Sequence, residues 1–276
     1  NLFVVNWMND GRELRNFKGS TVRSPNFYFQ PNISWSEVSS SSFSARLNQN
    51  GFVFDTSGPA LFVNKRYSYQ VQAYLSSKLI NNLLSILNPT LHYLSRNIES
   101  LPIPNSILKS SDLLKLSKRA VSIAKIDWDS YEFSWDFKKP PIMGLKTSLT
   151  NSWDSYFSSS NEISSELKAI EADTNTIVEK LTKIEIESQP EIKISEISLF
   201  RNAAYRCANE SELIFSNNKF QSESFSNLIS YSIGCMMGRY SLDQEGLVYA
   251  HAGNEGFTEL ERQGAYKTFP ADDDGI

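Results

Sequence analysis

Two residue types are nearly missing from this chain of 276 residues, which has two cysteines, Cys207 and Cys235, and two histidines, His92 and His251. So few cysteines exclude a disulfide scaffold, and the pair lacks the spacing of a zinc site. Neither histidine lies in a ligand or nucleophile motif, which leaves each a structural or surface residue. No glycine-rich phosphate loop or dinucleotide fingerprint is built from the 12 glycines, and no serine sits in a glycine-flanked nucleophile elbow. No apolar run approaches the roughly 18 residues of a membrane span, and no charged-then-apolar leader opens the sequence. Together these absences predict a soluble, cytoplasmic chain with no membrane partner and no catalytic, cofactor or metal site of its own. Glu191-Ile192-Lys193 holds the Glu-x-Lys piece of metal-dependent nucleases without an acidic partner upstream, and Asp272 to Asp274 read as a frayed acidic end.

What is present is ordinary globular composition, with 40% hydrophobic and 21% charged residues, unevenly charged along its length. The net charge of -4 divides into two parts of opposite sign. Residues 1–120 carry 13 Lys and Arg against 6 Asp and Glu, a balance of +7, whereas the remainder carries 14 against 25, a balance of -11. A basic front of this kind points to a polyanion partner.

The first 65 residues read as β-structure. Leu2 to Val5, Asn26 to Phe29, Ile33 to Trp35, Phe43 to Ala45 and Gly51 to Phe54 are short aromatic and β-branched runs. Asn9-Asp10-Gly11, Ser24-Pro25, Gln30-Pro31 and Asn48-Gln49-Asn50-Gly51 supply turn chemistry between them. Arg12 to Phe17 fits a short helical turn. From Ser68 the period becomes helical: Val71, Leu75, Leu79, Leu83 and Leu87 predict one helix of about five turns, stopped at Asn88-Pro89. Ile98 to Pro104 reads as extended. A second helix is expected near Asp112 to Lys125, then an extended connector whose Tyr131, Phe133, Trp135 and Phe137 alternate.

Ile163, Leu167, Ile170, Thr174, Ile177, Leu181 and Ile184 follow a heptad spacing, short enough to predict an intramolecular helical pair rather than a dimer zipper. A further helix spans about Ser222 to Arg239 with Phe225, Leu228, Ile229, Ile233 and Met236 on one side. The expected fold is α+β, a mostly antiparallel β domain with packed helices followed by a helical spacer or bundle. Its divisions fall at residues 1–105, a connector at 106–155, the helical spacer with its heptad seam at 156–240, and an irregular segment at 241–276.

In the basic front, Arg12, Arg15, Lys18, Arg23, Arg46, Lys65 and Arg66 lie among Trp7, Phe17, Tyr28 and Trp35. Lysine and arginine neutralise phosphate, and polar loop tips such as Asn48, Gln49 and Asn50 can read base edges. A nucleic acid is therefore the expected polyanion and these ten residues its candidate contacts, double-stranded DNA being what the resemblance set out below implies. A rival reading makes the heptad seam and the aromatic connector a scaffold that docks other proteins.

Specific strings carry a resemblance. Asn6-Trp7 through Asn9-Asp10-Gly11, Asn16 to Ser20, Ile33 to Ser36 and Gly51 to Asp55 through Gly58 to Phe62 follow one another in a familiar order. Ser77-Lys78-Leu79, Leu87 to Thr90 and Ile98 to Pro102 resemble the closing helix and strand of a TaqI-like target-recognition domain. Trp128 to Glu132, Ser134 to Phe137 and above all Leu228 to Ser241 resemble the PglX methyltransferases of BREX phage-defence systems. That resemblance implies a target-recognition and spacer piece cut from a longer adenine-specific DNA methyltransferase, or the specificity region of a fused restriction-methylation enzyme. It also implies that S-adenosylmethionine belongs to the parent protein, and that the catalytic domain of the same chain and other defence subunits are partners. Asn88-Pro89-Thr90 lacks the second proline and the aromatic of the family's catalytic loop, so the family's chemistry maps onto no residue here.

Overall fold

A computed structural model describes residues 4–40, 42–144, 146–185, 191–206, 213–251 and 253–272, with residues 213–215 described by backbone alone. Leu2 and Phe3 of the first expected strand, Pro190, Cys207 and Asp273–Asp274 lie outside the described residues. The fold is α+β, and the chain divides into two compact units. A sheet unit holds residues 3–122 and 169–192, and a helical unit holds residues 123–168 and 193–276.

The sheet unit opens with helix α1, Met8–Asn16. Its start is irregular, because Asn9, Asp10 and Gly11 all take left-handed φ before a regular turn follows. Asparagine, aspartate and glycine are the residues that tolerate that region. At Gly11 the demand is double, since φ is +69° and an added Cβ would sit 2.9 Å from the Trp7 ring.

Three short antiparallel strands follow, β1 (Asn32–Ser34), β2 (Arg46–Asn48) and β3 (Ala60–Leu61), in the order β2-β1-β3. Ile33 in the central strand pairs with Leu47 on one side and Leu61 on the other and is fully buried. The sheet is smaller than the aromatic runs suggest. Asn26 to Phe29 forms a 3-10 turn over Pro25–Phe27, and neither Phe43 to Ala45 nor Gly51 to Phe54 lies in a strand. Their rings pack on one another instead: Tyr28 meets Phe54 at 5.2 Å and Phe54 meets Phe62 at 5.4 Å between centroids.

The expected single helix after Ser68 is two, α2 (Ser68–Leu75) and α3 (Lys78–Leu87). Ser77 breaks it: its hydroxyl donates to the Tyr74 carbonyl at 2.6 Å, and its own backbone is extended. Serine competes in this way with the helical ladder. Helix α4 (Ser95–Glu99) occupies the start of the segment expected to be extended, so Ile98 is helical rather than strand-like. Next come α5 (Asn105–Leu108) and α6 (Ser111–Trp128), the latter close to its expected span.

Helix α7, Leu149–Thr182, contains the heptad seam except Ile184. Its last part packs into the core of the sheet unit, where Val178 is fully buried with Ile33, Ile80, Leu84 and Leu113, and Ile177 and Leu181 flank them. From the same helix, Asn175 Oδ1 accepts the backbone N–H of Lys78 at 2.9 Å, capping α3 from outside its own strand of sequence. The Ser77 side chain makes no such cap. We expect Asn175→Ala to cost the sheet unit about 1–2 kcal/mol, as for a lost N-cap, measured by chemical denaturation. A loss under about 0.5 kcal/mol would contradict this role.

In the helical unit, the first turns of α7 place Trp153 and Tyr156 against Phe220 of α9, Leu213–Met236, and against Ala203 of α8, Ala203–Arg206. The exposed face of α9 differs from expectation. Of the expected side, Phe225 and Leu228 are half-buried against the core, but Ile229, Ile233 and Met236 face outward, and Phe220, Ser224, Tyr231 and Cys235 face inward. Buried serine makes this possible, because the Ser224 hydroxyl satisfies itself on the Phe220 carbonyl at 2.7 Å.

The connector is also not extended. Successive turns bond Ser130 to Asp127, Tyr131 to Trp128, Ser134 to Tyr131 and Phe137 to Ser134 through the backbone. Its aromatics therefore split, with Tyr131 and Phe133 stacked at 5.5 Å beside Phe200, Phe137 packed against Tyr231 and Tyr240, and Trp135 exposed. Helix α10, Phe257–Gln263, closes the unit.

Candidate nucleic-acid interface

The candidate contacts fall on four parts of the sheet unit. The first is α1 and the loop after it. Arg12, Arg15, Lys18 and Arg23 are all exposed. Arg15 is also anchored: its Nε donates to the Asp10 carbonyl at 2.9 Å, its Nη2 to Asp10 Oδ2 at 3.2 Å, and its guanidinium lies 5.8 Å from the Trp7 ring centroid. The left-handed turn through Gly11 folds the chain back so that Trp7 and Arg15 meet.

Trp7 carries this basic segment onto the second part. Its ring meets Tyr28 at 5.0 Å and Phe29 at 5.6 Å, both edge-to-face, an arrangement aromatic quadrupoles favour. Phe29 is in turn laced to the Asn48–Phe52 loop by two backbone bonds, Phe29 N to Phe52 O at 2.8 Å and Gly51 N to Phe29 O at 3.1 Å. Arg15, the rings of Trp7, Tyr28 and Phe29, and the exposed tip Gln49-Asn50 thus belong to one connected arrangement, and Arg12 is exposed on the same helix as Arg15. Asn48 serves it differently, because its side-chain amide donates to Asn32 Oδ1 at 3.0 Å and to Ser34 Oγ at 2.7 Å and so fixes the root of the loop on the sheet.

The remaining candidates sit elsewhere. Arg46 is exposed on β2, opposite Ser34. Lys65 and Arg66 lie on the 3-10 turn Lys65–Tyr67 that leads into α2, where the Arg66 guanidinium stacks 4.5 Å from the Tyr67 ring. Of the aromatics read with the basic front, Trp35 is core: it is buried and its Nε1 donates to the Tyr93 carbonyl at 2.7 Å. Sequence reading did not single out Phe29 and Phe52, which are both exposed, Phe29 against the Trp7 ring that Arg15 overlies. The available signal was their place among turn residues, Ser24-Pro25-Asn26 before one and Asn48 to Gly51 before the other.

The helical unit is rich in buried polar groups of a structural kind. Asp127 accepts the backbone N–H groups of Phe200 at 2.6 Å and Arg201 at 3.1 Å, and the Arg201 Nε at 3.0 Å. Burial pushes the phenols of Tyr131, Tyr156 and Tyr231 up, and that of Tyr240 to about 12, so these hydroxyls stay protonated and neutral near pH 7. Burial likewise raises the Cys235 thiol, away from nucleophilic character. His92 is exposed, with Nδ1 3.5 Å from Glu37 Oε1. Among the described residues no group of three or more His, Cys, Asp or Glu is placed to hold a metal ion. No described helix is long and apolar enough to cross a membrane.

The string Leu228 to Ser241, the most specific of those that carry the resemblance, has a packing explanation. Gly238 takes φ +74° at the end of α9, and Tyr240 then folds back so that its ring lies where a Cβ on Gly234 would be, 2.5 Å away. Tyr240 stacks on Tyr231 at 5.0 Å, and the Tyr266 hydroxyl donates to the Gly238 carbonyl at 2.6 Å. Glycine at 234 and 238 and tyrosine at 231 and 240 are therefore one interlocked set.

No protein-family model matches the chain. Two curated proteins do. The chain is 40% identical over 277 residues to the adenine-specific methyltransferase BrxX of Escherichia coli O9:H4 (strain HS), an alignment covering 99% of this chain and 22% of BrxX. It is 29% identical over 262 residues to the adenine-specific methyltransferase PglX of Lacticaseibacillus casei (strain Zhang), covering 90% of this chain and 20% of PglX. The chain spans about a fifth of the length of these relatives. The chain is thus similar, over nearly its whole length, to part of two proteins named as adenine-specific methyltransferases.

Proposed function

We propose that this chain is the DNA-reading and spacer part of an adenine-specific DNA methyltransferase of BREX type. Residues 1–105 are the target-recognition domain, and the helices from residue 106 onward hold it against the catalytic domain and against other subunits of the defence system. The carrying observation is the connected arrangement of Arg15, the Trp7, Tyr28 and Phe29 rings and the Gln49-Asn50 tip, on the part of the chain that holds all of the positive balance. Arginine and lysine on a helix and its following loop position a duplex through its phosphates. Glutamine and asparagine at a loop tip present paired donor and acceptor groups to base edges in the major groove.

Methyl transfer from S-adenosylmethionine belongs, in this reading, to the rest of the enzyme. The sheet described here has three antiparallel strands of at most three residues, with no parallel strand pair to form the crevice that nucleotide cofactors use. The described residues do not fit that cofactor, and none is given a role in the chemical step.

The test is a chimera in which this chain replaces the stretch of E. coli BrxX that it matches, with methylated adenines mapped by single-molecule sequencing. The expected result is methylation at a new sequence. Methylation at the site of unmodified BrxX would show that target choice resides outside this chain.

A further inference from the structure

Phe29 is a bulky residue held in the left-handed region, with φ of +64°. For a phenylalanine that conformation is costly, and it persists only where neighbouring structure over-determines it. Here two backbone hydrogen bonds to Gly51 and Phe52 do so. The strain does not serve burial. The residue is still 39% exposed, with Trp7 and Tyr28 in edge-to-face contact with its ring. A glycine would satisfy the backbone without strain. The chain therefore maintains an exposed aromatic ring, at a cost, next to a Trp7 ring that carries Arg15.

Resting on the DNA-reading role proposed above, we propose that Phe29 is a base-stacking residue, whose ring takes the face of a nucleobase left unpaired or unstacked in bound DNA. An aromatic ring beside cationic side chains is the arrangement that binds unstacked bases without regard to their identity. The phosphates flanking that base fall to Arg12 and Arg15, and Phe52, whose carbonyl accepts the Phe29 N–H, is exposed as well. The ligand class is a duplex with a locally opened step, because opening is least costly where a base already lacks its partner.

The experiment uses the 276-residue chain and two mixed-sequence duplexes, one fully paired and one with a single central bulged 2-aminopurine. The unsubstituted chain is expected to bind the bulged duplex about tenfold tighter, the worth of one stacked base, with quenching of 2-aminopurine fluorescence. Phe29→Gly is expected to melt within about 3 °C of the unsubstituted chain, because relief of strain offsets the missing ring packing. Whatever its affinity for the paired duplex, it should lose both the preference for the bulged duplex and the quenching. Phe29→Trp should retain both. The proposal is overturned if the preference survives in Phe29→Gly, if the unsubstituted chain has none, or if Phe29→Gly melts more than about 10 °C lower, which would make the ring core. Failure of the chain to bind either duplex would remove the DNA-reading role itself, an outcome distinct from binding without preference.

Discussion

Replacing Asp127 with alanine is expected to lower the melting temperature of the helical unit by about 10 °C or more. Asp127 is 2% exposed and Arg201 7%, and the aspartate is the common acceptor for two backbone amides and the guanidinium Nε. Arg201 keeps one further bond, Nη2 to Ser130 Oγ at 3.3 Å, too little to satisfy a buried cation. Removing one partner of a buried ion pair leaves an uncompensated charge and costs about 3–5 kcal/mol, far more than an exposed pair. Two orphaned amides add to the loss. Asp127→Asn should fall between, since its amide oxygen still accepts a backbone N–H while the charge is gone. The exposed pair Lys138–Glu245 serves as the control, and breaking it by Lys138→Gln should leave the melting temperature almost unchanged. Calorimetry checks all three, and an Asp127→Ala loss no larger than that of Lys138→Gln would refute the clamp.

Reversing Arg12, Lys18 and Arg23 together to glutamate is expected to weaken binding of duplex DNA about thirty- to a hundredfold at low salt. The three residues are exposed, so the melting temperature should not move. The salt slope of binding should also fall by about one for every phosphate that is no longer neutralised. Three reversals in the helical unit, Lys139, Arg262 and Lys267, change the total charge by the same amount and provide the comparison. They should alter affinity only about two- to threefold, as a change in the overall field rather than at the phosphates themselves. Equal effects from the two triples would mean that binding follows net charge and has no address on the sheet unit.

The parts of the fold that could be read in advance are those where one face of a helix is plainly apolar. Helix α6 was expected near its span, and the seam from Ile163 to Leu181 follows from spacing, since Leu167, Ile170 and Thr174 are buried and Ile177 and Leu181 half-buried where the period places them. Reading failed where serine replaced a hydrophobic residue. Ser77 splits α2 from α3, and Ser224 lets α9 bury the opposite face from the one its isoleucines mark. It failed again where aromatics form ring clusters in loops, as Tyr28, Phe54 and Phe62 do, because β propensity reflects packing on a pleated surface that these rings never enter. The charged residues of the candidate site were legible by their crowding into the front of the chain, and the structure places the basic ones at the surface. Phe29 was not, because a left-handed backbone and a half-free ring follow from tertiary lacing and not from residue type.

The most direct test of the central claim is a salt titration of duplex DNA binding by the 276-residue chain, followed by fluorescence anisotropy. The account predicts measurable binding at about 50 mM salt, with log affinity falling against log salt at a slope of about -3 or steeper, the signature of several phosphate contacts. Binding absent at that salt, or a slope near zero, would contradict a DNA-reading role for the basic front.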